Sequence, residues 1–184
     1  GQNAAGVWDA NFKGVWHLSG STLHSADSTS NAYHATNNGA TASAGKVDGA
    51  GYFDGNSYTM NTSLTLDPNS NVNATMSAWI YMTTYYNSWW QNAVAMSFDG
   101  NYGGNYRGFG VTTGGNFNEN TKGDTGVAVS LNAWHLLSVV YSATDVVAYL
   151  DGSPHPFGSA GSWGGDSSTL KIGWDGADWV GYPQ

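Results

Sequence analysis

The polar run Asp27-Ser-Thr-Ser-Asn-Ala-Tyr-His34 is the first place where residue types and spacing could do chemistry. Calcium takes about 6–8 oxygen ligands, so a turn offering Asp27, Asn31 and free carbonyls suits it, with His34 closing the run. Asp178 and Asp48 are further candidate ligands from outside the turn. The same residues suit an Asx-turn in which Asp27 caps its own backbone, and both readings stand. A second group is Tyr85-Tyr-Asn-Ser-Trp-Trp-Gln-Asn92. Sugars present apolar C–H faces and hydroxyls, so Tyr85, Tyr86, Trp89 and Trp90 beside Asn92 suit carbohydrate binding. Trp163, together with Trp174 and Trp179, offers a similar set among glycines. Exposed aromatic clusters also mark contacts with partner subunits, so that alternative stays open.

Catalytic patterns are sparse. Glycoside hydrolysis needs a pair of carboxylates at controlled separation. Glu119 is the only glutamate, and it falls in a Gly/Asn-rich stretch read as a loop. Asp54, Asp99, Asp151 and Asp175 each precede a glycine and read as turn residues. The histidines show no zinc spacing, and no Gly-x-Ser-x-Gly elbow occurs. A Ser–His–Asp triad draws its members from distant segments, so the sequence does not decide it. The histidines read as packing or hydrogen-bonding groups. Binding rather than turnover is the expectation, with a hydrolase relic centred on Glu119 as a minor alternative.

Composition narrows the class. The chain of 184 residues has 9 Trp, 11 Tyr and 26 Gly, with only 10% charged residues. Aromatics of that abundance build a core, while Gly, Asn and Ser supply turns. A net charge of −8, from 13 acidic and 5 basic residues, argues against nucleic-acid partners, which need clustered cations. It argues equally against anionic membranes. There is no cysteine, hence no disulfide, thiolate metal site or cysteine nucleophile. No apolar run reaches the length of a membrane-spanning helix. The polar aromatic composition favours an extracellular setting.

Alternation dominates the elements that must position these groups. Met76-Ser-Ala-Trp-Ile-Tyr-Met82 sends Met76, Ala78 and Ile80 to one face and Ser77, Trp79 and Tyr81 to the other. Residues 134–141 are apolar on both faces and read as a central strand, followed by a hairpin partner at 146–150. Other expected strands are 15–18, 34–36, 51–53, 58–60, 93–97, 108–112, 126–129 and 169–173. Trp16, Trp79 and Trp134 lie in strand patterns and are expected in the core. The linkers 100–105, 113–123 and 158–168 are long for hairpins and are candidates for functional loops. About ten short strands without a helix imply an all-β, antiparallel two-sheet sandwich. One domain over 1–184 is expected, with 1–14 as an arm or linker.

Several segments in order carry a family resemblance. They are Val15-Trp-His-Leu18 followed by Asp27-Ser-Thr-Ser-Asn31; Gly49-Ala-Gly-Tyr-Phe-Asp-Gly55 with Tyr58; Thr75-Met-Ser-Ala-Trp-Ile-Tyr81; and Trp134-His135 through Val146-Val-Ala-Tyr-Leu-Asp-Gly152. Together they resemble a laminin-G-like domain of the concanavalin A-like lectin/glucanase superfamily, in its prokaryotic surface-protein form. The resemblance implies a jelly-roll sandwich, a structural calcium near Asp27, and glycan binding or cell-surface adhesion. It also implies that the chain is part of a larger surface protein. The family's usual final strand has no counterpart, since the chain reads Trp179-Val-Gly-Tyr-Pro-Gln184 there. That departure puts the calcium site in doubt and suggests an open sheet edge, where a neighbouring subunit could add a strand. The expectation is therefore a calcium-stabilised, non-catalytic, extracellular carbohydrate-binding or adhesion module. The alternative is a subunit of an extracellular filament or surface layer, a homo-oligomer built by strand complementation.

Overall fold

The computed structural model describes residues 4–54, 58–65, 73–85, 93–98, 107–142, 144–157 and 169–173. After a one-turn helix, α1 (Ala4–Val7), the described elements are strands: β1 (Thr36–Asn38), β2 (Thr41–Ser43), β3 (Ala50–Tyr52), β4 (Thr59–Thr65), β5 (Ala74–Tyr81), β6 (Ala93–Phe98), β7 (Gly108–Val111), β8 (Asn116–Glu119), β9 (Gly123–Ala128), β10 (Trp134–Tyr141), β11 (Val146–Leu150), β12 (Ser153–Pro156) and β13 (Thr169–Ile172). The larger sheet has the order β1-β4-β13-β6-β7-β8-β9, the smaller β12-β11-β10-β5, and β2 pairs with β3 as a separate ribbon. Every pairing is antiparallel. This is the all-β sandwich that the alternation implies.

The two sheets meet through their alternate positions. Leu64, Phe98, Phe109, Val111, Phe117 and Leu170 come from the larger sheet, and Met76, Leu137, Val139, Tyr141, Val146 and Ala148 from the smaller. Each fully buried aliphatic or aromatic side chain contributes about 1.5–3 kcal/mol, so this layer dominates the driving force. β10 lies between β11 and β5, with Leu137, Val139 and Tyr141 buried and the alternate residues Trp134, Leu136, Ser138 and Val140 half-buried. A smaller cluster of Ala35, Ala40, Met60 and Ile172 packs beneath Trp16, Leu18 and Tyr58.

Several expectations change. The segment 15–18 is no strand: it contributes one isolated bridge, between Trp16 and Asp27. The stretch 113–123 is not a long loop, because it contains β8 and the tight turn into β9. β8 reads poorly as a strand because Asn116, Asn118 and Glu119 are polar yet lie in the body of the sheet. Trp79 is not core but 47% exposed. The partner of Ser77 on its own face, it stands on the solvent side of the smaller sheet.

Register fixes where the functional groups gather. Trp134 faces Tyr81 across β10 and β5, and Leu137 faces Leu150 across β10 and β11. The C-terminal ends of β5 and β11 therefore meet the N-terminal end of β10 at one end of the smaller sheet.

Candidate functional site

At that end an aromatic face is open to solvent. Trp79 and Tyr81 are 47% and 45% exposed. The period-2 geometry of β5 places them side by side on one face, about 7 Å apart along the strand. Trp134, on β10, packs its ring against Tyr81 with centroids 5.4 Å apart and planes tilted by 52°. The Lys46 ammonium lies 5.3 Å from the Trp79 ring centroid, a cation–π contact at the border of the face.

A polar chain closes the same end of the sheet from its other face, where His135 pairs with core-facing Ile80. Ser130 Oγ lies 2.8 Å from His135 Nε2, and His135 Nδ1 lies 2.7 Å from Asp151 Oδ2. The other Asp151 oxygen accepts the Leu136 N–H at 2.8 Å. Because Leu136 pairs with Trp79, the carboxylate and the indole flank the same β10 residue. Burial pushes the Asp151 carboxyl up, but the hydrogen bonds from His135 and Leu136 and the charges of His135 and Lys46 outweigh it. Its pKa lies below the ordinary 3.8. Next to Ser130, Val129 accepts a 2.7 Å hydrogen bond from the Tyr85 hydroxyl. Tyr85 is thus half-buried and anchored where the aromatic segment begins.

The remaining sugar-binding candidates, Tyr86, Trp89, Trp90, Asn92 and Trp163, lie outside the described residues, as does Asp178. Sequence reasoning missed Trp79 as a surface group, although the shared face of Ser77, Trp79 and Tyr81 carried the signal. Lys46 and the Ser130–His135–Asp151 chain had no local motif to reveal them.

The Asp27 loop is built around a satisfied carboxylate. Oδ1 accepts the N–H groups of Val15 and Thr29, each at 2.9 Å. Oδ2 accepts the Thr29 hydroxyl at 2.8 Å and the Tyr33 N–H at 2.9 Å. A carboxylate offers about four lone-pair sites, and each here has a donor. Burial raises this carboxyl, which is 6% exposed, but these donors outweigh it and hold its pKa below 3.8. Asn31 turns its amide nitrogen to the carbonyls of Phe12 and Lys13, both at 3.1 Å. His34 Nδ1 accepts the Asp27 N–H at 3.1 Å. Asp48 sits in an exposed turn with φ of 53°. Among the described residues no group of three or more His, Cys, Asp or Glu converges. Calcium would have to displace donors already in place, so this set does not fit it. The residues instead tie the 12–16 segment to the 27–34 loop.

Glu119 is also internal. Its side chain is fully buried, with Oε1 accepting the Tyr141 hydroxyl at 2.8 Å. Oε2 accepts the Thr121 N–H, the Thr121 hydroxyl and the Lys122 N–H at 3.0, 2.6 and 2.9 Å. Burial raises its pKa above 4.5, with those hydrogen bonds opposing. Arg107 stacks its guanidinium 4.7 Å from the Tyr141 ring centroid. Burial brings the Arg107 pKa down to about 10, against the raising effects of Tyr141 and Glu119. This ionic cluster closes the opposite end of the sandwich, and its carboxylate touches no solvent.

No family model matches the sequence, and neither does any curated protein. Among solved structures, the chain resembles domain 4 of AbnA, a GH43 extracellular arabinanase from Geobacillus stearothermophilus, in complex with arabinotriose. The TM-score is 0.56 at 16% identity, over 83% of this chain and 80% of that one. A carbohydrate-binding module, CBM66 from Bacillus subtilis, aligns at a TM-score of 0.44 and 18% identity, over 77% of this chain and 88% of that one. At such identities the likeness is one of fold.

Proposed function

We propose that this chain is a carbohydrate-binding module of laminin-G-like type, working outside the cell, and that the glycan lies on the Trp79–Tyr81–Trp134 face. The observation that carries the reading is the exposure of Trp79 and Tyr81 on one strand, at 47% and 45%, with Trp134 packed beside them. Large aromatics are seldom left in water as a contiguous group unless something stacks on them. Sugar rings offer the right complement, with C–H faces for the indole and phenol rings and hydroxyls for Lys46 at the border. That the domain of similar fold is described in complex with arabinotriose supports this reading and suggests arabinan as the first ligand to try. Cleavage of the glycosidic bond is not part of it, because Glu119 is enclosed.

Titration with arabino-oligosaccharides and a panel of neutral polysaccharides tests the proposal. Trp79→Ala and Tyr81→Ala should each weaken binding about tenfold, equivalent to about 1.4 kcal/mol, with melting temperatures close to wild type. Binding that survives the double substitution would remove the site from consideration.

The strand-complementation reading has one observation in its favour: among the described residues, β5 pairs on one side only, with β10. Concentration-dependent filaments, broken by a proline at an edge-facing position of β5, are what that reading requires.

A further inference from the structure

We propose that Ser130, His135 and Asp151 form a nucleophilic relay that hydrolyses acyl esters at the end of the smaller sheet where β11 returns to the start of β10. The order of contacts is the one such chemistry needs, with a hydroxyl on one imidazole nitrogen and a carboxylate on the other. Asp151 Oδ2 at 2.7 Å from Nδ1 selects the tautomer with its proton there. That leaves Nε2 to accept from Ser130 Oγ at 2.8 Å. The carboxylate is itself held by the Leu136 N–H, from the residue next to His135, so ring and orienting group share one backbone support.

The nucleophile is exposed while its surroundings are pinned. Ser130 faces solvent, but Val129 N donates to Gly115 O at 2.8 Å and Asn132 N to Met82 O at 2.7 Å. Asn132 takes φ of 59°, which turns the chain sharply after Ser130. The Leu131 N–H, the group following the nucleophile, donates to no acceptor among the described residues. A main-chain donor in that position serves the oxyanion of acyl-transfer intermediates. Ser130 also adds nothing to the sheet ladder, so the His135–Asp151 pair would secure the β10–β11 end without it.

The reaction balances with water as its only co-reactant. Ser130 Oγ bonds to the ester carbonyl carbon as its proton passes to His135 Nε2. Collapse of the tetrahedral intermediate breaks the carbon–alkoxide bond, and His135 returns the proton to the leaving alkoxide. Water, deprotonated by His135, then cleaves the acyl-serine, releasing the carboxylic acid and restoring the Ser130 hydroxyl. O-acyl groups on a glycan are the natural substrate class, a step that rests on the binding reading above; the relay itself does not.

A fluorophosphonate probe and 4-nitrophenyl acetate test the relay without any glycan. Wild type should gain one phosphonyl adduct, mapped to Ser130 by peptide mass spectrometry, and should hydrolyse the ester. Ser130→Ala should abolish the adduct, and His135→Gln should slow both reactions about 100-fold, the lower range for general-base catalysis. Asp151 is half in water, which keeps the expectation at that end. Ser130→Cys, which should alkylate with iodoacetamide faster than Ser130→Cys combined with His135→Gln, covers the case in which Ser130→Ala disturbs the turn. Equal ester hydrolysis by wild type and Ser130→Ala, or an adduct at another residue, overturns the proposal. Acetate release from acetylated polysaccharide supports the glycan ester. Probe labelling without that release upholds the relay and overturns the glycan assignment.

Discussion

Replacing Asp27 by Asn tests whether a hydrogen-bonded carboxylate, rather than an ion, holds the loop over residues 27–34. Asn keeps one acceptor oxygen, which can still receive Val15 N and Thr29 N. Its amide group meets Tyr33 N–H and the Thr29 hydroxyl, where Asp27 Oδ2 now accepts both. The hydroxyl can rotate and accept instead, but the Tyr33 N–H cannot. One main-chain donor is therefore stranded, and the remaining bonds lose their charge assistance. Hydrogen bonds to charged groups are worth about 1.5–3 kcal/mol and neutral ones about half that, giving a loss of about 2–4 kcal/mol. For a chain of this size each kcal/mol moves Tm by about 2–4 °C, so Asp27→Asn should melt about 5–12 °C lower. Scanning calorimetry at neutral pH, with and without a chelator, reads the effect. The sign with pH follows from the carboxyl pKa being lowered on folding. Its stabilisation is present above the ordinary value of 3.8 and is lost as pH falls through the folded-state value, so the two proteins should converge in acid. A variant melting within 2 °C of wild type, on the order of 1 kcal/mol or less, refutes the reasoning. A chelator that lowers the wild-type Tm as far as the substitution does refutes it equally.

Two further expectations concern the framework. Glu119→Ala strips the Tyr141 hydroxyl and the Arg107 guanidinium of their buried counter-charge, which should cost about 3–5 kcal/mol in urea titrations and leave glycan affinity per folded molecule unchanged. A change in affinity or activity at full stability would instead favour the hydrolase-relic reading of Glu119. At Gly110 an added Cβ would run into the Ala93 carbonyl oxygen in the neighbouring strand, so Gly110→Ala should lower the stability read from urea titrations by about 1–3 kcal/mol.

The sheets were legible because burial imposes a period of two. The alternation in 76–82 gave β5 to within two residues, and the run apolar on both faces at 134–141 gave β10. β8 escaped because it does not alternate, Phe117 being buried together with its polar neighbours Asn118 and Glu119. A hydropathy pattern cannot distinguish that from a loop. The Asp27 loop was legible as an anchor but not as to its chemistry, since the same Asp and Asn serve a metal or a set of N–H donors. Only positions of Val15, Thr29 and Tyr33 decide how many lone pairs remain. The Ser130–His135–Asp151 chain was illegible for a different reason, because its members meet only through the β10–β11 register and the turn before β10.

That register also fixes where the proposed binding face and the proposed relay lie, at one end of the smaller sheet. An antiparallel hairpin returns the end of β11 to the start of β10, so Asp151 necessarily lies opposite Leu136 and beside His135. The same residue, Leu136, pairs with Trp79 on the other side. A one-residue slip of β5 against β10 would turn Trp79 and Tyr81 into the core and Ile80 outward, at a cost the packed Met76–Leu137–Val139 layer forbids. The aromatic face and the relay are therefore held in fixed relation by the core rather than by any contact between them. A ligand stacked on Trp79 has its border within a strand spacing or two of Asp151, about 5–10 Å. It follows that core substitutions which loosen the β5–β10 register should weaken stacking and leave cleavage of a glycan-free ester in place, whereas Ser130→Ala should abolish cleavage alone.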